Sequence, residues 1–161
     1  MTTTSTTETT IEIDEKVPLV RLIREFEAPA EAVFRAHTEA DLYAQWVGPR
    51  DLEMTIETFD CRTGGEYRYV HSRGDERYAF RGCFHEVTAP NRIVQTFTYE
   101  DWPEAVSLET MVIEDLPGGR SRLTSTSLVD SFEARDAFVA SGMETGINEG
   151  YQKLDELLAR S

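Results

Sequence analysis

The sequence predicts an α+β fold in which a curved antiparallel sheet wraps around one long C-terminal helix. Three observations lead to this prediction. Six segments between residues 52 and 129 have strand character, two short helices follow an earlier strand, and the chain after residue 130 is helical. A sheet with one apolar face must be covered, and the terminal helix is the element long enough to cover it.

The N-terminal segment differs in composition from the rest of the chain. Residues 1–17 are rich in threonine and are predicted to form a flexible tail, followed by a single domain over 18–161. Within the tail, Ile11 and Ile13 alternate with acidic residues, which leaves a short edge strand open as an alternative.

The first part of the domain is predicted to be a strand over 19–26 and two short helices. Pro29 opens the first helix at a position where its missing N–H costs nothing. Thr38 is the predicted cap of the second helix, which ends near Gln45. The segment 46–49 contains glycine and proline and breaks that helix.

The middle of the chain is predicted to be an antiparallel meander. Its strands are joined by turn residues over hairpin-length gaps, which antiparallel neighbours require. The predicted strands are 52–60, 66–72, 76–88, 92–100, 105–115 and 120–129.

Three glycines mark the C-terminal helical segment. Asp130 is predicted to cap a short helix over 131–140, and Gly142 to separate it from the main helix over 142–159. Gly146 and Gly150 lie beside the apolar stripe of the main helix, although a helical glycine costs about 1 kcal/mol relative to alanine. They predict that space is needed there, for close backbone packing or for a ligand.

Charge and composition narrow the function classes. The chain carries 30 acidic and 16 basic residues, a formal net charge of −14, which disfavours nucleic acid and anionic membranes as partners. The sequence shows no signal peptide and no membrane-span pattern, and Cys61 and Cys83 lie far apart, so we expect a reduced, cytoplasmic protein.

Residues with catalytic or metal-binding chemistry form no known motif. The spacing of His37, His71 and His85 does not suit a metal, and the sequence has no nucleophile elbow, phosphate loop or dinucleotide fingerprint. We therefore predict no metal, no cofactor and no catalytic residue. His85 follows the apolar Phe84 in a strand and is expected to point to solvent.

Five segments, in this order and spacing, carry a family resemblance. They are Trp46–Pro49, Gly64–Arg68, Gly82–Val94, Gly118–Thr124 and Gly150–Leu157. On these segments the chain, from about residue 19 to 159, resembles the START-like helix-grip superfamily, also labelled SRPBCC. Within it, the chain is similar to the bacterial branch homologous to the C-terminal domain of the activator of heat-shock-protein-90 ATPase.

Two positions depart from the family pattern. Tyr151 stands where the family usually has tryptophan and Ser121 where it has threonine, and the Tyr151 hydroxyl needs a partner if it is buried. The eukaryotic co-chaperone also has an N-terminal domain that is not represented in this sequence. A chaperone partner is therefore disfavoured but stays open.

The resemblance implies a cavity between sheet and terminal helix that binds a small hydrophobic molecule. The aromatic residues of the sheet fit a cavity wall or an ordinary packed core, and both alternatives stay open. The predicted ligand-binding residues are Trp46, Tyr67, Tyr69, Phe80, Phe84, Tyr99, Met111, Ile113, Met143, Gly146, Ile147, Gly150 and Tyr151.

Binding is favoured over catalysis, with two rival functions. One is a cofactor-free polyketide cyclase or aromatase, which needs a titratable group with a perturbed pKa facing the cavity. The other is an interaction protein of the chaperone-activator type, and a homodimer through the sheet edge or the Trp102 loop stays open. For each candidate group of a cyclase, an ordinary surface charge or core tyrosine is favoured over a catalytic role; these groups are Arg68, Tyr69, Arg81, Tyr99 and Glu109.

Overall fold

Twelve elements follow one another along residues 8–160, the part of the chain that the computed structural model describes. They are β1 (Thr10–Ile13), β2 (Leu19–Phe26), α1 (Ala30–Thr38), α2 (Ala40–Trp46), β3 (Glu53–Phe59), β4 (Glu66–Arg73), β5 (Glu76–Thr88), β6 (Arg92–Tyr99), β7 (Ser107–Leu116), β8 (Arg120–Leu128), α3 (Phe132–Ala140) and α4 (Met143–Arg160). The eight strands form one antiparallel sheet in the order β1-β2-β8-β7-β6-β5-β4-β3. The predicted α+β fold, with a curved sheet around a long C-terminal helix, is confirmed.

The predicted boundaries agree closely with those of the structure. Each of the six middle strands begins and ends within two residues of its prediction. Gly142 adopts a φ of 85° between α3 and α4 and separates them as predicted. Pro29 lies one residue earlier than expected, since it occupies the N-cap position and α1 begins at Ala30.

Two predicted helix caps are wrong. Thr38 is the last residue of α1, and its hydroxyl donates to the carbonyl four residues earlier, so Glu39 takes the N-cap position of α2. Asp130 does not cap α3, because the neighbouring Ser131 does, accepting a hydrogen bond of 3.0 Å from the Ala134 N–H. The Thr38 hydroxyl thus bonds back into α1, and Glu39 makes no side-chain capping hydrogen bond to α2, whereas at α3 a neighbouring residue provides the cap.

The edge strand indicated by Ile11 and Ile13 is present. These residues belong to β1, which pairs with β2 at the edge of the sheet. Residues 10–13 of the segment predicted as a tail are therefore part of the sheet, while residues 1–7 lie outside the described part of the chain. The single-domain assignment over 18–161 stays a prediction.

Alternation along the strands, which is strictest in β2 and β8, gives the sheet a buried inner face. In β2, Val20, Leu22 and Phe26 face inward, and in β8 the inward residues include Ser121 and Leu123. α4 lies against this face through the fully buried Leu154. The remaining inward side chains, between β4 and β8, surround the site described below.

One partly buried ion pair joins α4 to the sheet. The Nη1 and Nη2 atoms of Arg24 in β2 donate to the two carboxylate oxygens of Asp155 in α4, both at 2.7 Å. The Arg24 guanidinium also lies 4.8 Å from the centre of the Phe26 ring, and Phe26 packs edge-on against Tyr151 at 5.6 Å. These contacts hold the part of α4 around Tyr151 against β2.

Candidate functional site

A cavity of about 680 Å³ lies between the inner face of the sheet and the first half of α4. Strands β4 to β8 contribute one wall, and the end of α2 with the loop after it contributes another. Most of the lining side chains are aromatic or aliphatic, and the volume lies within the range of small-molecule sites, about 300–1,000 Å³. The aromatic residues of the sheet therefore serve both as core and as cavity wall.

Most of the predicted site residues come together around this cavity. Tyr67, Phe84 and Ile113 are the exceptions, because they are buried in the core cluster beside it. The predicted residues that line the cavity are Trp46, Tyr69, Phe80, Tyr99, Met111, Met143, Gly146, Ile147, Gly150 and Tyr151.

Hydrogen bonding and stacking fix the aromatic wall. The indole N–H of Trp46 donates to the carbonyl of Ala36 at 2.9 Å, and the Trp46 ring stacks on Tyr151 with centroids 5.9 Å apart. Tyr43, which the sequence analysis did not select, packs against both Trp46 and Tyr69 at 5.9 and 5.8 Å. Rings held on several sides present fixed surfaces to a ligand.

Gly146 and Gly150 meet different neighbours. A Cβ atom at Gly150 would lie 3.1 Å from the carbonyl oxygen of Trp46, so glycine is needed there for close approach of two backbones. A Cβ atom at Gly146 would meet Pro49 at an ordinary 3.7 Å. Gly146 therefore lines the cavity with room for a side chain, whereas Gly150 allows α4 to pack closely against the end of α2.

A row of polar side chains crosses the inner face of the sheet. Glu109 in β7 pairs in register with Gln95 in β6 and with Ser127 in β8. The Ser127 hydroxyl donates to Glu109 Oε2 at 3.2 Å, and Gln95 Nε2 donates to Glu109 Oε1 at 3.4 Å and to the Tyr67 hydroxyl at 3.2 Å. Tyr67 in turn donates to the carbonyl of Thr96 at 2.6 Å. Tyr67 thus supports the row from the core, while the other three line the cavity.

Glu109 is the strongest electrostatic feature of the cavity. Its side chain is partly buried and lines the cavity. Burial raises the pKa of Glu109 from 4.5 to about 7, against the opposing effect of the hydrogen bonds from Ser127 and Gln95. The interpretation of Glu109 as a surface charge is therefore wrong.

Two histidines also line the cavity. His37 Nδ1 lies 2.8 Å from the carbonyl oxygen of Val33, and His71 packs against Gly48, where a Cβ atom would clash with its ring. Within residues 8–160, His71 Nε2 is buried without a hydrogen-bond partner. Burial lowers the pKa of both histidines to about 4, so both are neutral at physiological pH. His71 alternates with the same parity as Tyr67 and Tyr69 along β4. This parity could have predicted that His71 points to the inner face of the sheet.

The Tyr151 hydroxyl is a further polar group at the cavity wall. Tyr151 is buried and lines the cavity, and its hydroxyl is the group that the family's tryptophan lacks. Burial raises the pKa of Tyr151 well above its ordinary value, and the charge of Glu109 raises it further. The hydroxyl therefore stays protonated and is available to a ligand.

The other candidate groups lie away from the cavity. Arg68 and Arg81 belong to the outer face, where Arg68 forms ion pairs with Glu57 and Glu100 and Arg81 lies 3.8 Å from Glu100. His85 is exposed, as predicted. These arginines cannot contact a molecule inside the cavity.

Several other kinds of site are missing from the described part of the chain. Within residues 8–160, no group of three or more His, Cys, Asp or Glu side chains is placed to hold a metal ion. Cys61 and Cys83 are both free. No helix in this range is long and apolar enough to cross a membrane.

Comparison with known proteins identifies the family. The sequence profile of the family described as Activator of Hsp90 ATPase homolog 1-like protein matches residues 27–159. The chain belongs to this family. The predicted resemblance to the START-like helix-grip superfamily is therefore confirmed, and this fold commonly binds ligands. No curated protein sequence matches the chain significantly.

Solved structures of similar proteins share the fold of this Activator of Hsp90 ATPase homolog 1-like chain. A protein from Rhodobacter sphaeroides is 27% identical, with a TM-score of 0.85 over 95% of this chain and 99% of its own. One from Staphylococcus epidermidis is 26% identical, with a TM-score of 0.79 over 92% and 93% of the two chains. The AHSA1 protein from Silicibacter pomeroyi is 25% identical, with a TM-score of 0.71 over 88% and 97%.

Proposed function

We propose that this protein binds a small, mostly hydrophobic molecule in the cavity between the sheet and α4. The observation that carries the proposal is the combination of about 680 Å³ of space with a wall of fixed rings and one row of polar groups. Ligand sites in proteins commonly combine an apolar wall with a few polar groups that orient the ligand.

Filling the cavity is expected to abolish binding without harming the fold. Gly146→Leu places a side chain in open cavity, and it also replaces a helical glycine, a change that favours the helix by about 1 kcal/mol. The neutral fluorescent probe N-phenylnaphthylamine is expected to bind the wild type and to lose at least about tenfold in affinity for Gly146→Leu, which corresponds to about 1.4 kcal/mol.

A matched control is available on the same helix. Gln152 is exposed on α4, so Gln152→Leu adds a leucine outside the cavity and is expected to leave probe affinity unchanged. Circular dichroism of both variants checks that the fold is intact. Wild-type affinity in a folded Gly146→Leu protein would contradict the proposed site, and failure of the wild type to bind any neutral probe would contradict the proposed function.

Glu109 favours a second candidate function, a cofactor-free enzyme of the cyclase or aromatase type. Such an enzyme needs a group that moves a proton near neutral pH, and a carboxyl with a pKa of about 7 inside an apolar cavity meets this requirement. The proton would pass from a carbon next to a ligand carbonyl to the Glu109 carboxylate and return from it.

Deuterium exchange tests this second candidate directly. Tetralone, a bicyclic ketone, is incubated with the protein in D₂O, and NMR measures replacement of the protons next to its carbonyl. The wild type is expected to exceed the buffer rate, and Glu109→Gln to return to it while still binding N-phenylnaphthylamine. Equal exchange rates in the two proteins would exclude Glu109 as the base.

A further inference from the structure

The side chains that line the cavity can carry negative charge but not positive charge at physiological pH. Among the described residues that line it, Glu109 is the one carboxylic acid, and none is a lysine or an arginine. His37 and His71 are neutral, as shown above, so they supply no positive charge at physiological pH. Any charge inside the cavity is therefore negative and comes from the polar row on the sheet.

The positively charged residue near the aromatic wall, Arg24, already has a counter-ion. Arg24 lies 5.9 Å from the centre of the Tyr151 ring and is not among the residues that line the cavity. Both of its terminal nitrogens bind the Asp155 carboxylate. Arg24 therefore does not supply a counter-ion for Glu109, whose own hydrogen bonds come from the uncharged Ser127 and Gln95.

The rings around Glu109 favour the same kind of ligand charge. Trp46, Tyr43, Tyr69 and Tyr151 form one contiguous aromatic group, with neighbouring centroids 5.8 to 5.9 Å apart. The negative faces of aromatic rings attract cations within about 6 Å of the ring centre. A carboxylate next to such rings, with no basic side chain, is the arrangement that recognises an ammonium group.

We propose that the ligand of this cavity has an apolar, ring-sized body and one protonated amine, and that the amine binds Glu109 and the adjacent aromatic rings. This inference rests on the proposed function, because it assigns a ligand class to the same cavity. An organic acid is disfavoured, since it would place a second negative charge in the same cavity as Glu109.

Three probes with the same naphthyl body test the proposal: naphthylmethylamine, naphthylmethanol and naphthoate. Each displaces N-phenylnaphthylamine from the protein at pH 8. The amine is expected to bind at least about tenfold more tightly than the alcohol, and the acid more weakly than both, because hydrogen bonds to charged groups exceed neutral ones by that order.

Two variants assign the preference to the carboxyl inside the cavity. Glu109→Gln keeps the size and is expected to lower the preference for the amine over the alcohol by about tenfold, leaving only the contribution of the rings. Glu114→Gln makes the same charge change on the same strand, at an exposed residue paired with Arg122, and is expected to keep the preference. Equal binding of amine and alcohol to the wild type, or an amine preference that is undiminished in Glu109→Gln, would overturn the inference.

The amine preference is also expected to depend on pH. Glu109 is ionised at pH 8 and protonated at pH 5.5, so amine affinity should fall roughly tenfold or more between them, while alcohol affinity stays constant. The other titratable groups around Glu109 are four tyrosines and two histidines. Burial raises the pKa values of the tyrosines, which are Tyr43, Tyr67, Tyr69 and Tyr151. Burial lowers the pKa values of His37 and His71 to about 4. None of these titrates between pH 5.5 and 8.

The outcomes separate this inference from the proposed function. If N-phenylnaphthylamine binds but the three naphthyl probes displace it equally, the ligand class is wrong and the binding function stands. If neither the neutral probe nor the amine binds, both are wrong.

Discussion

Replacing Glu109 with glutamine is expected to raise the free energy of unfolding by about 3 kcal/mol at pH 8 and by only about 1 kcal/mol at pH 5.5. The carboxyl has a pKa of about 7 in the folded protein against 4.5 for the ordinary side chain. A raised pKa means that the folded state holds the proton more tightly than the unfolded state does. The wild type therefore loses stability as the pH rises from about 4.5 to about 7, whereas the glutamine variant does not.

Urea unfolding of both proteins at the two pH values measures this difference. Glu114→Gln again serves as the matched control, because its side chain is exposed and the same change there is expected to alter stability by less than about 0.5 kcal/mol. A gain in Glu109→Gln that is equal at pH 5.5 and pH 8 would show that the carboxyl titrates normally, and the pH-dependent part of the amine proposal would then fail.

A stabilising variant at this position also bears on function. A carboxyl held at a cost in free energy where glutamine would fit is typical of sites in which activity competes with stability. In this cavity, binding of a protonated amine would recover that cost, because it supplies the counter-ion that the folded chain lacks. The stability gain and the lower amine preference in Glu109→Gln are therefore two consequences of one unpaired charge.

The fold could be predicted because its signals are local. The strands 76–88 and 92–100 alternate with period two and are separated by turn residues, so their limits can be read from a few neighbouring positions. The cap predictions failed at Thr38 and Asp130 for the same reason. The local sequence did not show that the Thr38 hydroxyl would bond back into α1, or that Ser131 and not its neighbour Asp130 would cap α3.

The site was predicted less completely, because it depends on contacts between distant segments. The parity of Tyr69, Phe80 and Met111 along their strands indicates the inner face, and these residues do line the cavity. Parity does not distinguish Tyr67, which faces the same way but lies in the core. That distinction depends on how far α4 reaches across the sheet.

The polar row on the inner face could also be predicted only in part from the sequence. Glu109 has the parity of Met111 and Ile113, so its inward direction was available from the sequence. Its neighbours were not, since the pairing of Glu109 with Gln95 and Ser127 requires the registers of two separate strand pairs. The reason for a glycine at position 150 could not be predicted either. The backbone that Gly150 approaches belongs to Trp46, which lies more than a hundred positions earlier in the chain.

Asp155→Ala is expected to lower the free energy of unfolding by about 3 kcal/mol, because it leaves the buried Arg24 guanidinium without its carboxylate. The Arg24 side chain is 3% exposed and Asp155 is 43% exposed, so we take the lower end of the range for a broken buried pair. Within residues 8–160, Arg24 Nε already lacks a hydrogen-bond partner. After the substitution, the carbonyl of Glu25 and the two neighbouring rings are the contacts left to the charge.

Two comparisons make this prediction specific to the buried charge. Glu156→Ala removes the next carboxylate of α4, which pairs with the half-exposed Arg50, and is expected to cost less than about 1 kcal/mol. Arg24→Met combined with Asp155→Ala removes both charges and is expected to recover most of the lost stability, since no lone charge then stays buried. If Asp155→Ala costs no more than Glu156→Ala in urea unfolding, the Arg24–Asp155 pair does not hold α4 to the sheet. The cavity wall formed by Gly146, Ile147 and Tyr151 must then be positioned by apolar packing and by the contacts of Arg50 with Glu149 and Glu156.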